Sequence, residues 1–224
     1  SGGISGLGNE AVTLSDTSLA TTVLNTLDGN TSGVVNAATV TTLTGTAATA
    51  NTAYASSGIS GLGNEAVTLS DTSLAATVLN TLDDNTTGAV NAATVTTLTG
   101  LGGDINVSYA SSGITGLGDE AVTLSDITID GAVLNTLDGN TTGAVNASAL
   151  TTISGAAADA NTAYASNGIT GLGNEIASIS DVSITASVLN TLDGNTTGEV
   201  NGTNLTTITG ATADVNTVYA SSGI

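Results

Sequence analysis

"SLAATVLNTLDDN", residues 73–85, sets Leu74, Val78, Leu79 and Leu82 three to four positions apart. That spacing lays one apolar stripe along a helix, and an Asp or Gly follows at its exit. One repeat earlier, "AVTLSD" (11–16) alternates Val12 and Leu14 with polar neighbours, the pattern of a short strand. Asp16 and Thr17 then offer a helix N-cap. Strand followed by helix is the first reading. Thr, Val, Asn and Ser are indifferent helix formers, so an all-β right-handed β-helix of the same coil length stands as the alternative.

The stretch is one copy among several. "GLGNE" at 6–10 returns at 61–65, as "GLGDE" at 116–120 and as "GLGNE" at 171–175, a period of 55 without insertion. The repeats are 1–55, 56–110, 111–165 and 166–220, and 221–224 ("SSGI") matches the opening "SGGI" as the start of a fifth. A finer period lies inside. Asn25, Asn51, Asn80, Asn106, Asn135, Asn161, Asn190 and Asn216 are spaced alternately 26 and 29. The apolar residues Leu14, Leu43, Leu69, Leu98, Leu124, Ile153, Ile179 and Ile208 show the same two spacings in the opposite order. Each repeat is therefore two related coils. The sister coil has "TVTTLTG" (39–45) as strand and "TAATANTAYA" (46–55) as helix, with Ala47, Ala50 and Tyr54 on one face. Gly- and Asn-rich turns such as 56–64 return the chain. The expected fold is an α/β solenoid of 26–29-residue coils, stacked about eight high on one parallel sheet, with strands about 4.8 Å apart. It is expected to be continuous and uncapped at both ends, like a segment cut from a longer array.

Composition narrows the function classes. Only eleven residue types occur, and the nineteen charged residues are all Asp or Glu, giving a net charge of −19. No basic patch exists to neutralise phosphates, which makes nucleic acid and anionic membrane poor partners. No apolar run reaches the ~18 residues a membrane helix needs. Hydrophobic residues at 40% separate the chain from disordered acidic tails. Without His, Cys or Lys, a Ser or Thr nucleophile lacks an ordinary base, so no catalytic constellation is expected. Zero Cys fits any compartment, and the absence of Lys and Arg removes trypsin-type cleavage sites.

Recurring side chains form columns. The Asn column reads as a ladder, since amides both donate and accept. The tyrosines Tyr54, Tyr109, Tyr164 and Tyr219 are expected to bury their rings with the hydroxyl at the edge, a carbohydrate-stacking face being the alternative. Glu10, Glu65, Glu120 and Glu175 form one acidic column, and Asp16, Asp71, Asp126 and Asp181 a second, at helix starts. The third, Asp28, Asp83, Asp138 and Asp193, falls at helix ends, where the dipole disfavours an anion and something must offset it.

In "LDGNTTGAVNA" (137–147), Asp138, Asn140, Thr142 and Gly143 match the first half of an EF-hand loop. The twelfth position is Thr39, Thr94, Ala149 or Asn204, so the bidentate Glu is missing and a true EF-hand is excluded. Two readings remain. One is a plain cap, with Gly139 left-handed and Asn140 bonding free carbonyls. The other adds a looser calcium site on Asp28, Asn30, Asp83, Asn85, Asp138, Asn140, Asp193 and Asn195, completed by carbonyls or by Glu from the next coil. Calcium is the one cofactor raised. Asn30, Asn85, Asn140 and Asn195 also open glycosylation sequons, and the Thr-rich strands raise an ice-binding face.

The blocks "GISGLGNEAVTLSD" (58–71), "VLNTLDGNTTGAVNA" (133–147) and "LTTITGATADVNTVYASSGI" (205–224) resemble the repeats of giant cell-surface proteins of marine cyanobacteria and other aquatic bacteria. The resemblance implies secretion, surface display and a long array of similar repeats. The expected function is a structural segment of an extracellular rod, fibre or coat. Its partners are neighbouring copies of the array, with lateral self-association included. The alternative is an adhesin stalk or binding module for carbohydrate, calcium or ice.

Overall fold

The computed structural model describes residues 5–224; the "SGGI" of residues 1–4, read above as the start of the first repeat, lies outside them. Among the described residues, eight helices alternate with short strands. They are α1 (Thr21–Asn30), α2 (Ala47–Ala55), α3 (Ala76–Asn85), α4 (Gly102–Ala110), α5 (Gly131–Asn140), α6 (Ala157–Ala165), α7 (Ala186–Asn195) and α8 (Thr212–Ala220). The strands pair in parallel, so the architecture is an α/β, solenoid-like repeat rather than the all-β alternative. Threonine is accommodated in the helices by bonding backwards. Thr26, Thr52 and Thr81 each donate from Oγ1 to the carbonyl four residues earlier, at 2.7, 2.9 and 2.7 Å. Helix α3 begins at Ala76, past the stripe's first member Leu74, because Ser73–Ala75 is a strand.

The chain divides into two compact units, residues 1–98 with 107–117 and residues 99–106 with 118–224. In the first, one sheet carries Leu19, Leu43, Val67, Val90 and Ile114 side by side in register. A second pairs Val12, Val35 and Ile59. In the second unit, one sheet aligns Ile129, Ile153, Ala177 and Val200. Val122, Val145 and Ile169 form another row, and Ile184 pairs with Ile208.

These ladders correct two expectations. There are several short parallel sheets rather than one, and the apolar positions spaced 26 and 29 do not face one another, since Leu69 lies opposite Gly45. The cause is an unequal strand count. Between α1 and α2 the chain makes two strands, Val35–Asn36 and Thr42–Gly45. Between α2 and α3 it makes three, Ile59–Ser60, Ala66–Leu69 and Ser73–Ala75. The longer leg inserts a strand, and the pairing sidesteps by one position.

The core lies between helices and strands. Leu24, Leu79 and Leu82 are fully buried in the first unit, as are Leu134, Leu137, Leu189 and Leu192 in the second. The nine-residue helices α2 and α6 bury only alanines, at 47, 50 and 53 and at 157, 160 and 163, which lets neighbouring helices approach closely. Among the described residues no helix is long and apolar enough to cross a membrane.

Candidate functional site: the inter-coil carboxylates

The Asp16 column caps helices, but not the helices that follow it. A strand, Ser18–Ala20, separates Asp16 from α1, and Ala20 is the N-cap residue there, without a side-chain bond. Asp71 instead reaches the preceding coil, where its Oδ2 accepts from Ala47 N at 2.8 Å, the first amide of α2. Asp126 accepts from Gly102 N and Asp181 from Ala157 N, both at 2.8 Å. Each carboxylate thus meets the positive end of a helix dipole across a coil boundary. Capping here is tertiary.

The Asp28 column is offset in a related way. Ser56 donates to Asp28 Oδ2 at 2.7 Å, Ser111 to Asp83 at 2.6 Å, Ser166 to Asp138 at 2.7 Å and Ser221 to Asp193 at 2.8 Å. The same hydroxyl oxygens accept from the amides of Gly58, Gly113, Gly168 and Gly223. Those glycines are required by proximity, since a Cβ on Gly58 would run into Asp28 Oδ1. A serine from the next coil therefore supplies the hydrogen bond that compensates an anion near a helix C-terminus. The expected left-handed Gly139 is not seen. Helix α5 runs through it to Asn140, and Thr141 leaves in extended conformation. The chain turns through Thr141, whose Oγ1 donates to the Glu120 carbonyl at 2.7 Å and accepts from Gly143 N at 2.9 Å.

The most enclosed acids are glutamates. Glu65 and Glu175 are fully buried. Glu65 Oε2 accepts from Gly63 N at 2.8 Å, Asn64 N at 3.2 Å and Tyr54 Oη at 3.0 Å. Glu175 repeats the arrangement with Gly173 N, Asn174 N and Tyr164 Oη. Their other oxygens, Oε1, are buried without a hydrogen-bond partner. Burial pushes the Tyr164 hydroxyl up to about 12, against a bond from Thr196 that lowers it, with the charge of Glu175 adding to the rise. Tyr54 is raised for the same reasons. At Glu10 the Gly8 amide holds the carboxyl below its ordinary range. The Tyr54 and Tyr164 hydroxyls thus end on glutamates.

The Asn column is a ladder through backbone. Asn25 Nδ2 donates to Thr49 O at 2.9 Å, Asn51 to Val78 O at 3.0 Å, Asn135 to Asp159 O at 2.9 Å and Asn161 to Val188 O at 3.1 Å. Each reaches a helix carbonyl in the following coil. Asn85, Asn140 and Asn195 donate back to Oδ1 of Asn51, Asn106 and Asn161 at 3.0, 3.0 and 2.9 Å. Those are three of the four sequon nitrogens, so in these copies the atom a glycan would occupy is bonded into the ladder.

This geometry places the candidate calcium ligands. Asp83 accepts from Ser111 of the coil after, while Asn85 donates back to Asn51 of the coil before, so both side chains are engaged between coils. Asp138 with Asn140 and Asp193 with Asn195 behave alike. Asp28 bonds Ser56, and Asn30 is exposed. Among the described residues no three acidic side chains gather as a metal-holding group. Sequence reasoning overlooked the Ser56 column and the pairing of Tyr54 with Glu65. The fixed eleven-residue offset of Tyr54 to Glu65 and Tyr164 to Glu175 was the available signal. Compared with known protein families, curated proteins and solved structures, the chain matches none.

Proposed function

We propose that the chain is a structural segment of a long extracellular repetitive protein, in which about eight coils stack into a stretch of rod, fibre or surface coat. The observation that supports this reading is the use made of the polar columns. Asp71, Asp126 and Asp181 cap the helix of the coil before, and Asp28, Asp83, Asp138 and Asp193 take a serine from the coil after. Groups that would serve a ligand site are engaged in holding one coil to the next. In such an array each coil buries its face on its neighbour, so length is added without a new fold. The uncompensated charge of −19 keeps neighbouring rods apart. Resemblance to giant bacterial surface proteins is the ground for the extracellular placement.

Small-angle scattering on chains of four, five and six repeats tests the stack. The maximum dimension should grow by about 10 Å per 55-residue repeat, two strand spacings, at constant cross-section. Growth in cross-section instead would sink it. Thermal unfolding with and without EDTA should coincide, and labelling of intact source cells with an antibody to the chain should mark their surface.

A further inference from the structure

The serine that holds Asp138 also touches a peptide nitrogen. Gly168 N donates to Ser166 Oγ at 2.9 Å, and the same hydroxyl donates to Asp138 Oδ2 at 2.7 Å. A proton leaving the Gly168 amide therefore has a path, through one hydroxyl, to a carboxylate. The path is built at the three equivalent places too, on Ser56, Ser111 and Ser221 with Gly58, Gly113 and Gly223. What differs is the residue between serine and glycine. It is Ser57, Ser112 and Ser222 there, and Asn167 here. Asn167 is exposed, and its side-chain amide makes no hydrogen bond among the described residues. Gly168 must stay glycine, because a Cβ there would run into Asp138 Oδ1. The fold thus sets an Asn–Gly pair on a proton path. Bonding of the Gly168 nitrogen to the Asn167 side-chain carbon closes a succinimide ring, and glycine puts no side chain in the way.

We propose that Asn167 is a self-modifying site, deamidated by attack of the Gly168 nitrogen on its side-chain carbonyl carbon. The Gly168 N–H proton passes to Ser166 Oγ as the Ser166 hydroxyl proton passes to Asp138 Oδ2. The N–Cγ bond forms and the Cγ–Nδ2 bond breaks. Nδ2 leaves as ammonia with one proton from water, and Asp138 gives its own back to water. A water molecule then opens the succinimide at either carbonyl, leaving aspartate or isoaspartate at 167. The imide has no N–H for Ser166, so the tie from α5 to the loop after α6 loosens at this boundary and at none of its counterparts. The sequence contains one other Asn–Gly pair, Asn201–Gly202. There the Asn201 side-chain oxygen accepts from the Thr203 amide at 3.1 Å, and Val200 stands where a hydroxyl would be needed.

Ageing the full chain at neutral pH tests it. The chain has no tryptic site, so chymotrypsin releases residues 165–172 and 193–205, which are read by mass spectrometry and by isoaspartate-specific methyl labelling. Amide loss should appear at Asn167 well before Asn201, and Asn167→Ser should abolish it. The folded chain should react faster at 167 than the same chain in urea, where the proton path is broken. The variants separate a proton path from a mere tether by the sign of the change. Asp138→Asn and Ser166→Ala both loosen the loop, and a looser loop reaches the ring-closing geometry more often. If these groups only tether, the reaction speeds up; as a proton path, their loss slows it severalfold. Ser166→Thr, which keeps the hydroxyl, should restore the rate, with circular dichroism reporting that each variant is folded. An Asn167 that reacts no faster folded than in urea, or faster in Asp138→Asn than in the parent chain, overturns the proposal.

Discussion

Glu10 and Glu65 are followed by the same six residues, AVTLSD, and both fold back onto their own loop. Glu10 Oε2 accepts from Gly8 N at 2.7 Å as Glu65 Oε2 does from Gly63 N at 2.8 Å. Beyond that they differ. Glu65 is fully buried and receives the Tyr54 hydroxyl, whereas Glu10 remains partly exposed. Tyr54 and Tyr219 show the same contrast from the other side. The loop builds its own anchor from local amides, while burial and the phenol come from the coil before. In a repeat of this kind, a residue's environment is set by its neighbour's sequence as much as by its own.

Substitutions at equivalent positions sharpen that comparison. The largest difference is expected between Leu82→Ala and Leu27→Ala. Leu82 is fully buried, and its loss should cost about 2–5 kcal/mol; Leu27 is half-exposed and should cost less than half as much, as read from urea midpoints. Next comes Glu65→Ala, which strands two amides and the Tyr54 hydroxyl and should cost about 3 kcal/mol. Glu10→Ala, with no tyrosine to strand, should shift the midpoint by a small fraction of that. Equal shifts would show that the preceding coil adds nothing.

Asp181→Ala removes a cap from α6, one coil away in sequence, and should cost about 1 kcal/mol. Hydrogen exchange should place the loss in the first turn of α6 rather than in α7, and protection lost in α7 would refute capping across the boundary. The last effect appears only at high pH. The Tyr164 hydroxyl is raised to about 12, against about 10 in an unfolded chain. The folded state therefore holds this proton more tightly. The stability it contributes is complete below pH about 10 and is lost as pH rises through 12. In a variant keeping Tyr164 as its single tyrosine, phenolate absorbance should appear near pH 12; appearance near 10 would mean the ring is open to water.

Much of the fold was legible. The stripe of Leu74, Val78, Leu79 and Leu82 indicated a helix, and α3 covers most of it. The strand at 39–45 and helix at 46–55 correspond to Thr42–Gly45 and α2. The functional columns were legible as columns but not as contacts. Asp71 looked like the cap of the helix ahead because sequence proximity favours the local partner, and the real partner lies 24 residues back. Gly139 looked like a left-handed exit because Gly so often ends helices, yet α5 continues to Asn140 and Thr141 makes the turn.

The sequence by itself determined the 55-residue period, its division into two coils, the helix faces and the all-acidic charge. Each of these depends on which residues recur along the chain, information that needs no third dimension. Only the tertiary structure decided which coil each carboxylate serves and how the strands line up. Backbone pairing joins strands 23 or 24 residues apart while the helices repeat at 26 and 29. Hydrogen bonds form between groups adjacent in space, and an inserted strand shifts that adjacency without altering the repeat.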